Sequence, residues 1–163
     1  MIWTINDKEQ EKFLRRKASE FDFSKHGKKE IREIIKTMRV EMTKAIGLGL
    51  SANQLGLDMR LFVAKVEGKQ YAIFNPEITK LSKERVLMEE GCLSVPELYG
   101  VVERPEKITI EGFDANAKKI KIKAWGILAR VFQHETDHLN GILFIDKAKS
   151  LHKYELHSQD QKI

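Results

Sequence analysis

With 163 residues, 42% of them hydrophobic, the chain is long enough for one core but cramped for two, so we predict a single domain over residues 1–163. No run of about 18 apolar residues occurs and the N-terminal stretch is charged by residue 7, which argues against a membrane segment and predicts a cytoplasmic protein. The net charge of +5 is spread over short lysine-rich segments without a nucleic-acid motif, so we expect a solvated surface and no DNA partner.

Two helices are predicted in the N-terminal part. Residues 6–20 have helical character, and Asn6, followed three positions later by Glu9, resembles a capping box. In residues 28–46 the apolar side chains keep helical spacing, at Ile31, Ile34, Ile35, Met38, Met42 and Ala45. One face of this second helix is therefore predicted to pack on the core.

The stretch GLGLSANQ, residues 47–54, follows the second helix and fits the dinucleotide-binding pattern G-x-G-x-x-A. That fingerprint must lie between a strand and the start of a helix, because the helix N-terminus holds the pyrophosphate. Here Gly47 and Gly49 follow the end of a helix instead. The context argues against nucleotide binding and leaves another role for the two glycines.

The middle of the chain is predicted to form short strands, at residues 60–66, 70–76, 107–114 and 118–125. In the last of them Ile120, Ile122 and Ala124 alternate with lysines, as expected for a strand with one face in solvent. No helical crossover recurs between the strands, which favours antiparallel pairing and an α+β fold.

A final helix is predicted over residues 126–140, with Gly141 at its C′ position. Residues 146–163 are polar, and we predict a frayed helix or a tail there.

Two histidines of this last helix, His134 and His138, stand four residues apart, so their rings share one face and can bind the same metal ion. That face also carries Ile127 and Val131, which predicts that both rings point inward. Glu135 lies about 100° further round the helix, where it would flank a metal and act as a base on water. For an HExxH sequence taken alone, two ordinary core or surface histidines remain the alternative.

A catalytic metal needs a third protein ligand and an open fourth position. Phe144 stands where metzincins have their third histidine, which argues against that class. His152, Glu155 and His157 are candidates, but they lie in the polar tail, where rigid placement is not expected. Cys92, in EEGCLSVPE, is the better candidate because a thiolate binds zinc or ferrous iron and this lone cysteine has no disulfide partner. Its neighbours predict a glycine-flanked apolar turn.

Three segments, GLGLSANQ, EGCLS and QHETDHLNG, resemble the signature motifs of the bacterial-type peptide deformylases in order and spacing, over roughly residues 30 to 146. The resemblance implies an α+β fold with antiparallel sheets packed around the HExxH helix and one or more N-terminal helices. It implies a metal-dependent hydrolase that removes the formyl group from the N-terminal formylmethionine of newly synthesised polypeptides and releases formate. An HExxH metallopeptidase and a non-catalytic homologue that binds metal or peptide are the alternatives.

The resemblance assigns the metal centre. Cys92, His134 and His138 would hold the ion, with water as fourth ligand, and Glu135 would be the general base and acid. The implied ion is ferrous iron in the cell, as in bacterial members, with zinc, nickel or cobalt as replacements in purified protein. The donor set suits iron and zinc alike.

The resemblance also assigns the groups around the substrate. Gln54 and the backbone N–H of Leu93 would donate hydrogen bonds to the formyl oxygen as it becomes an oxyanion. Leu48 and Gly49 would line the place of the first substrate residue, since glycine leaves its backbone groups accessible to an extended peptide. Where the family usually has an alanine, this chain has Ser51, whose hydroxyl needs a partner if it is buried.

Further expectations concern the surroundings and the partners. Glu90 and Arg104 are predicted to pair and fix the loop around Cys92, so that exchanging the two should restore activity lost in either single variant. Asp137 is expected to make a structural hydrogen bond. The expected partners are N-formyl-Met peptides of nascent chains, and a transient ribosome contact through the C-terminus is implied by some bacterial members.

Overall fold

The computed structural model describes residues 1–153, and within them the chain forms three α-helices and eight strands. The helices are α1 (Lys8–Leu14), α2 (Lys28–Lys44) and α3 (Gly126–Leu139). The strands are β1 (Gly49–Ser51), β2 (Leu61–Val66), β3 (Lys69–Leu81), β4 (Arg85–Cys92), β5 (Val95–Pro105), β6 (Lys107–Phe113), β7 (Lys119–Trp125) and β8 (Ala148–Lys153). The predicted α+β class is confirmed.

The strands form two antiparallel sheets. The larger sheet has the order β1-β2-β3-β6-β7 and the smaller has the order β4-β5-β8. A two-residue turn joins β4 to β5, so that Cys92 pairs with Val95. Strand β1, at one edge of the larger sheet, is only three residues long. Its pairing with β2 sets Gly49 opposite Ala64 and Ser51 opposite Phe62. These two short segments carry two of the predicted motifs.

Helix α3 lies between the two sheets. Its fully buried Phe132 packs against rings of the larger sheet, with centroid distances of 5.5 Å to Phe62 and 5.2 Å to Tyr71. On its other side, His134 and Arg130 reach side chains and carbonyls of the smaller sheet. The expected packing of antiparallel sheets around the HExxH helix is thus confirmed.

Helix α2 covers a second part of the core, against β2 and β3. Four of its apolar side chains are buried at helical spacing, Ile31, Ile35, Met38 and Met42, as the sequence predicts. None of the helices within residues 1–153 is both long enough and apolar enough to span a membrane.

Helix α1 is shorter than the helix predicted over residues 6–20, and this prediction was wrong at both ends. Asp7, not Asn6, caps the helix, because its carboxylate accepts hydrogen bonds from two backbone N–H groups of the first turn at 3.0 and 2.9 Å. After the helix, the N–H of Ala18 donates to the carbonyl of Leu139 at 2.9 Å. This contact ties the segment after α1, which is no longer helical, to the end of α3.

The four predicted strands correspond to β2, β3, β6 and β7, whereas the other strands were not predicted. In β4 and β8 the side chains are mostly polar or partly exposed, so no apolar alternation marks these two strands. The segment predicted as a tail instead pairs with β5 along residues 148–153. The remainder of that segment, residues 154–163, lies outside the described residues.

Helix α3 ends at Leu139, and Gly141 lies at its C′ position as predicted, with a φ of 75°. Its N–H and that of the next residue donate to the carbonyls of His138 and Asp137, at 3.0 and 2.9 Å. The buried guanidinium of Arg60 donates to the carbonyl of Leu139 at 3.0 Å. The carbonyls at the end of α3 are therefore satisfied within the protein.

Replacement of Gly141 by alanine is expected to destabilise the protein more than Gly68→Ala, although φ is similar at both positions (75° and 78°). Left-handed backbone costs an alanine about 1–2 kcal/mol at either site. At Gly141 the added Cβ would also overlap the carbonyl of Arg15, whereas at Gly68 no neighbouring atom lies within 4 Å. Because of this overlap, the free energy of unfolding measured in urea is expected to fall by about 2 kcal/mol more in Gly141→Ala than in Gly68→Ala. Equal losses would contradict the steric argument.

Candidate metal centre and active-site cleft

Three potential metal ligands meet where β4 ends beside α3. The ligand atoms of Cys92, His134 and His138 all lie within 4.8 Å of one another, and Cys92 Sγ is 3.1 Å from His138 Nε2. A thiolate with two imidazoles suits zinc or ferrous iron. Cys92 is the last residue of β4, so the prediction that it lies within a turn was wrong: strand pairing holds it.

The alternative ligands of the C-terminal segment are not part of this cluster within the described residues. His152 lies on β8, and its Nε2 atom is 3.0 Å from the carboxylate of Glu89. Glu155 and His157 lie outside the described residues.

The charges and hydrogen bonds around Cys92 and His134 favour a thiolate and stabilise a positive charge beside it. Desolvation raises the pKa of the Cys92 thiol, but the charges of His138 and His134 and their hydrogen bonds to sulfur outweigh it and lower this pKa to about 5. Desolvation lowers the pKa of His134, but its hydrogen bonds to Cys92 and Glu90 and the negative charges nearby raise it to about 10. A thiolate in a site that stabilises positive charge is a fitting place for a divalent cation.

A buried carboxylate, Glu90, stands behind this cluster. It accepts two hydrogen bonds from Arg104, at 2.6 and 2.9 Å, one from Arg130 at 2.9 Å and one from His134 Nδ1 at 2.9 Å. Because Nδ1 is bound to Glu90, His134 presents its Nε2 atom to a metal. Glu90 and Cys92 are two residues apart on β4 and so share one face of the strand.

The predicted pair of Glu90 and Arg104 is confirmed, but its surroundings change the expected outcome of exchanging the two residues. An arginine at position 90 would face Arg130 and His134, so the exchange is not expected to restore activity.

Burial raises the pKa of Glu90, but its hydrogen bonds with Arg104 and His134 lower it below the ordinary range. The Glu90 carboxylate therefore stabilises the fold at pH values above the ordinary pKa of glutamate. This stabilisation is lost as the pH falls through the lowered pKa of Glu90.

Asp137 makes the structural contacts expected of it. Its carboxylate accepts a hydrogen bond from Arg104 at 2.6 Å and lies 2.7 Å from the ammonium group of Lys147. Arg104 therefore bridges Glu90 and Asp137, which continues the polar network from the metal cluster to the far side of α3.

Glu135 is buried beside the metal cluster and is held by β1. The hydroxyl of Ser51 lies 2.6 Å from its Oε2 atom, and a Cβ on Gly49 would overlap its Oε1 atom. Burial raises the pKa of Glu135, against the lowering effect of the two histidines and of Ser51. The open side of Gly49 therefore makes room for this carboxylate.

Gln54 lies in a 3-10 turn, Ala52–Leu55, directly after β1. Its Oε1 atom accepts a hydrogen bond from the N–H of Ser51 at 2.8 Å, which directs the amide NH₂ group the other way. That group donates to Ser94 Oγ at 3.0 Å and lies 3.9 Å from Cys92 Sγ. A hydrogen-bond donor is thus placed near the metal cluster.

These groups surround a cleft of about 670 Å³. The cleft is lined by all of the predicted site residues except His138, which is buried beneath it: Leu48, Gly49, Gln54, Cys92, Leu93, His134 and Glu135. Of the two apolar residues that share the histidine face of α3, Val131 is buried, whereas Ile127 lies at the cleft with 37% of its surface exposed. Leu48 is 50% exposed and offers an apolar contact.

Sequence reasoning missed two side chains that support the site. Arg130 stands one helical turn before His134, and this spacing was the available signal for a shared partner. Ser94, which accepts a hydrogen bond from Gln54, had no local signal because only the β4–β5 turn brings it there.

A Cys/His/His cluster, a buried carboxylate beside it and an amide donor, all at one cleft, together form the kind of site that metal-dependent HExxH hydrolases have.

Comparisons with known proteins agree with this class. The sequence profile of the polypeptide deformylase family matches residues 2–154. A peptide deformylase of Treponema pallidum (strain Nichols) is 47% identical over 118 residues, which cover 72% of this chain and 73% of that protein. The chain therefore belongs to the polypeptide deformylase family.

Solved structures agree in fold. A probable peptide deformylase from Synechococcus phage S-SSM7 has a TM-score of 0.80 and 42% identity, over 90% of this chain and 98% of that one. A class I type b peptide deformylase from Acinetobacter baumannii, with Met-Ala-Ser bound, has a TM-score of 0.84 and 28% identity, over 90% of this chain and 96% of that one.

Substitution of Glu90 by glutamine is expected to weaken metal binding about 10- to 100-fold, because His134 loses the carboxylate that orients it. It should also lower the free energy of unfolding by about 3 kcal/mol, since the buried guanidinium of Arg130 loses its counter-charge and that of Arg104 keeps only Asp137. Chelator competition and urea unfolding measure the two effects. The matched control is Glu89→Gln, the adjacent and exposed acid on β4, which is expected to change stability by less than about 0.5 kcal/mol. Similar losses in both variants would argue against a special role of Glu90.

Proposed function

We propose that this chain removes the formyl group from the N-terminal formylmethionine of nascent polypeptides in the cytoplasm, with Cys92, His134 and His138 as metal ligands and Glu135 as general base and acid. The observation that carries the proposal is the buried carboxylate of Glu135 beside the Cys/His/His cluster, at a cleft open to solvent. Family membership supports it, as does the Acinetobacter relative, which binds a peptide that begins with methionine.

The cluster fits one divalent metal ion, and we propose ferrous iron in the cell, with zinc, nickel or cobalt as replacements in purified protein. When bound, such an ion lowers the pKa of water and polarises a carbonyl group. His134 would use Nε2 because Glu90 holds its Nδ1 atom. Cys92 would bind as the thiolate that its lowered pKa of about 5 favours.

Glu135 moves the proton in this reaction. Its carboxylate accepts the proton of the water that attacks the formyl carbon, and it delivers a proton to the amine as the carbon–nitrogen bond breaks. The products are formate and a peptide with a free N-terminal amine. Burial raises the pKa of Glu135, which makes the protonated form more accessible for the second step.

Gln54 and the backbone N–H of Leu93 stabilise the oxygen of the formyl group as negative charge develops on it. The support for Gln54 is its orientation: its carbonyl end is tied to Ser51, and its NH₂ end lies on the side of Cys92.

Leu48 and Gly49 contact the first residue of the substrate at the rim of the cleft. The exposed side chain of Leu48 offers an apolar surface to methionine. A transient contact with the ribosome is part of the proposal, and the net charge of +5 favours association with such a polyanion.

The decisive experiment is formate release from formyl-Met-Ala-Ser by iron- or nickel-loaded protein. Glu135→Gln is expected to lower kcat at least about 100-fold while keeping the metal content, because proton transfer is lost. Removal of the metal by a chelator should abolish turnover, and re-addition should restore it. Unchanged turnover in Glu135→Gln would refute its role, and cleavage of internal peptide bonds without formate would indicate a peptidase.

A second test addresses the oxyanion donor. Gln54→Leu is expected to lower kcat about 100-fold with a smaller effect on KM, since the hydrogen bond is strongest in the transition state. The control is Gln70→Leu, an exposed residue on β3, which should leave kcat unchanged. Equal kcat values for Gln54→Leu and Gln70→Leu would show that Gln54 is not an oxyanion donor.

A further inference from the structure

Ser51 is fully buried and makes polar contacts with two different groups of the proposed mechanism. Its hydroxyl lies 2.6 Å from Glu135 Oε2 and 3.0 Å from the backbone carbonyl of Glu135. Its N–H donates to Gln54 Oε1 at 2.8 Å. A serine hydroxyl has one proton, and the closer, charged acceptor takes it most strongly. One residue therefore holds both the proposed base and the proposed oxyanion donor.

The place of Ser51 on β1 makes this contact rigid. Gly49 and Ser51 are two residues apart on β1, so both face the same side of the strand, toward Glu135. Gly49 leaves room for Oε1 and Ser51 binds Oε2, so β1 both accommodates the carboxylate and holds one of its oxygens. Pairing with β2 fixes both residues, opposite Ala64 and Phe62.

Ser51 contacts Glu135 from outside the cleft. Gly49, Gln54 and Glu135 line the cleft, whereas Ser51 does not. Its hydroxyl can thus orient the carboxylate without touching the peptide. Loss of the hydroxyl would leave Oε2 of a buried carboxylate without this hydrogen bond, and the group would rotate to find another partner.

We propose that Ser51 is a positioning residue that orients Glu135 for proton transfer through its hydroxyl, while its N–H orients Gln54. This inference rests on the proposed function, because it assigns Ser51 a role through the base and the oxyanion donor. The hydroxyl and the N–H are separable, since Ser51→Ala removes only the first.

Ser51→Ala is expected to lower kcat for formyl-Met-Ala-Ser about 10-fold and to leave KM within about twofold, because orientation is lost but binding is not. The matched control is Thr136→Val, which removes a buried hydroxyl of α3 that donates to the carbonyl of Phe132 at 2.7 Å. This variant should keep the wild-type kcat. A wild-type kcat in Ser51→Ala, or an equal fall in Thr136→Val, would overturn the proposal.

A double-mutant cycle with Glu135→Asp tests whether Ser51 acts through the carboxylate. Aspartate withdraws the carboxylate by one methylene, beyond the reach of the hydroxyl, while keeping a base in the site. Ser51→Ala should therefore change kcat little in the Glu135→Asp background. An equal fall in both backgrounds would overturn the proposal, because Ser51 would then act independently of Glu135.

The crystal structure of metal-loaded Ser51→Ala gives a readout that does not depend on activity. The Glu135 carboxylate is expected to leave its place beside Gly49, and an unchanged carboxylate would overturn the proposal. The proposed function fails separately, if the metal-loaded wild-type protein releases no formate from formyl-Met-Ala-Ser. Wild-type turnover in Glu135→Gln would refute the role of Glu135 as the base. An inactive Glu135→Gln with a fully active Ser51→Ala would refute only the role of Ser51.

Discussion

The buried carboxylate of Glu90 is the interaction on which the site depends. It compensates Arg104 of β5 and Arg130 of α3, and it fixes the ring of His134. Two guanidinium groups this deeply buried would be strongly unfavourable without a counter-charge. The same carboxylate therefore joins the smaller sheet to α3 and orients a proposed metal ligand, so that the packing of the fold and the geometry of the site cannot be separated.

The other half of the site comes from the larger sheet. Strand β1 brings Gly49 and Ser51 against Glu135, and the turn that follows brings Gln54. The cleft consequently lies at the junction of the two sheets, with α3 between them and Cys92 at the end of β4. Each sheet supplies what the other lacks: one carries the sulfur ligand and Glu90, and the other holds the proposed base and oxyanion donor.

Local pattern predicted a large part of the fold. The apolar spacing of α2, the alternation in β7 and the stop at Gly141 depend on neighbours within one or two turns, and all three were found in place. Strands β4 and β8 were missed because partners in their sheet, not an apolar face of their own, define them. The end of α1 was misplaced for a similar reason, since a contact with Leu139 sets the path of the chain after it.

For the site, the sequence by itself determined what helix geometry dictates: residues four apart, such as His134 and His138, share a face. The three motifs also identified the family. Only the tertiary structure decided that Glu90 serves two arginines at once and that the hydroxyl of Ser51 meets Glu135, 84 positions away along the chain. Periodicity carries no information about such distant pairs, because they depend on how strands and helices pack and not on the preferences of any one segment.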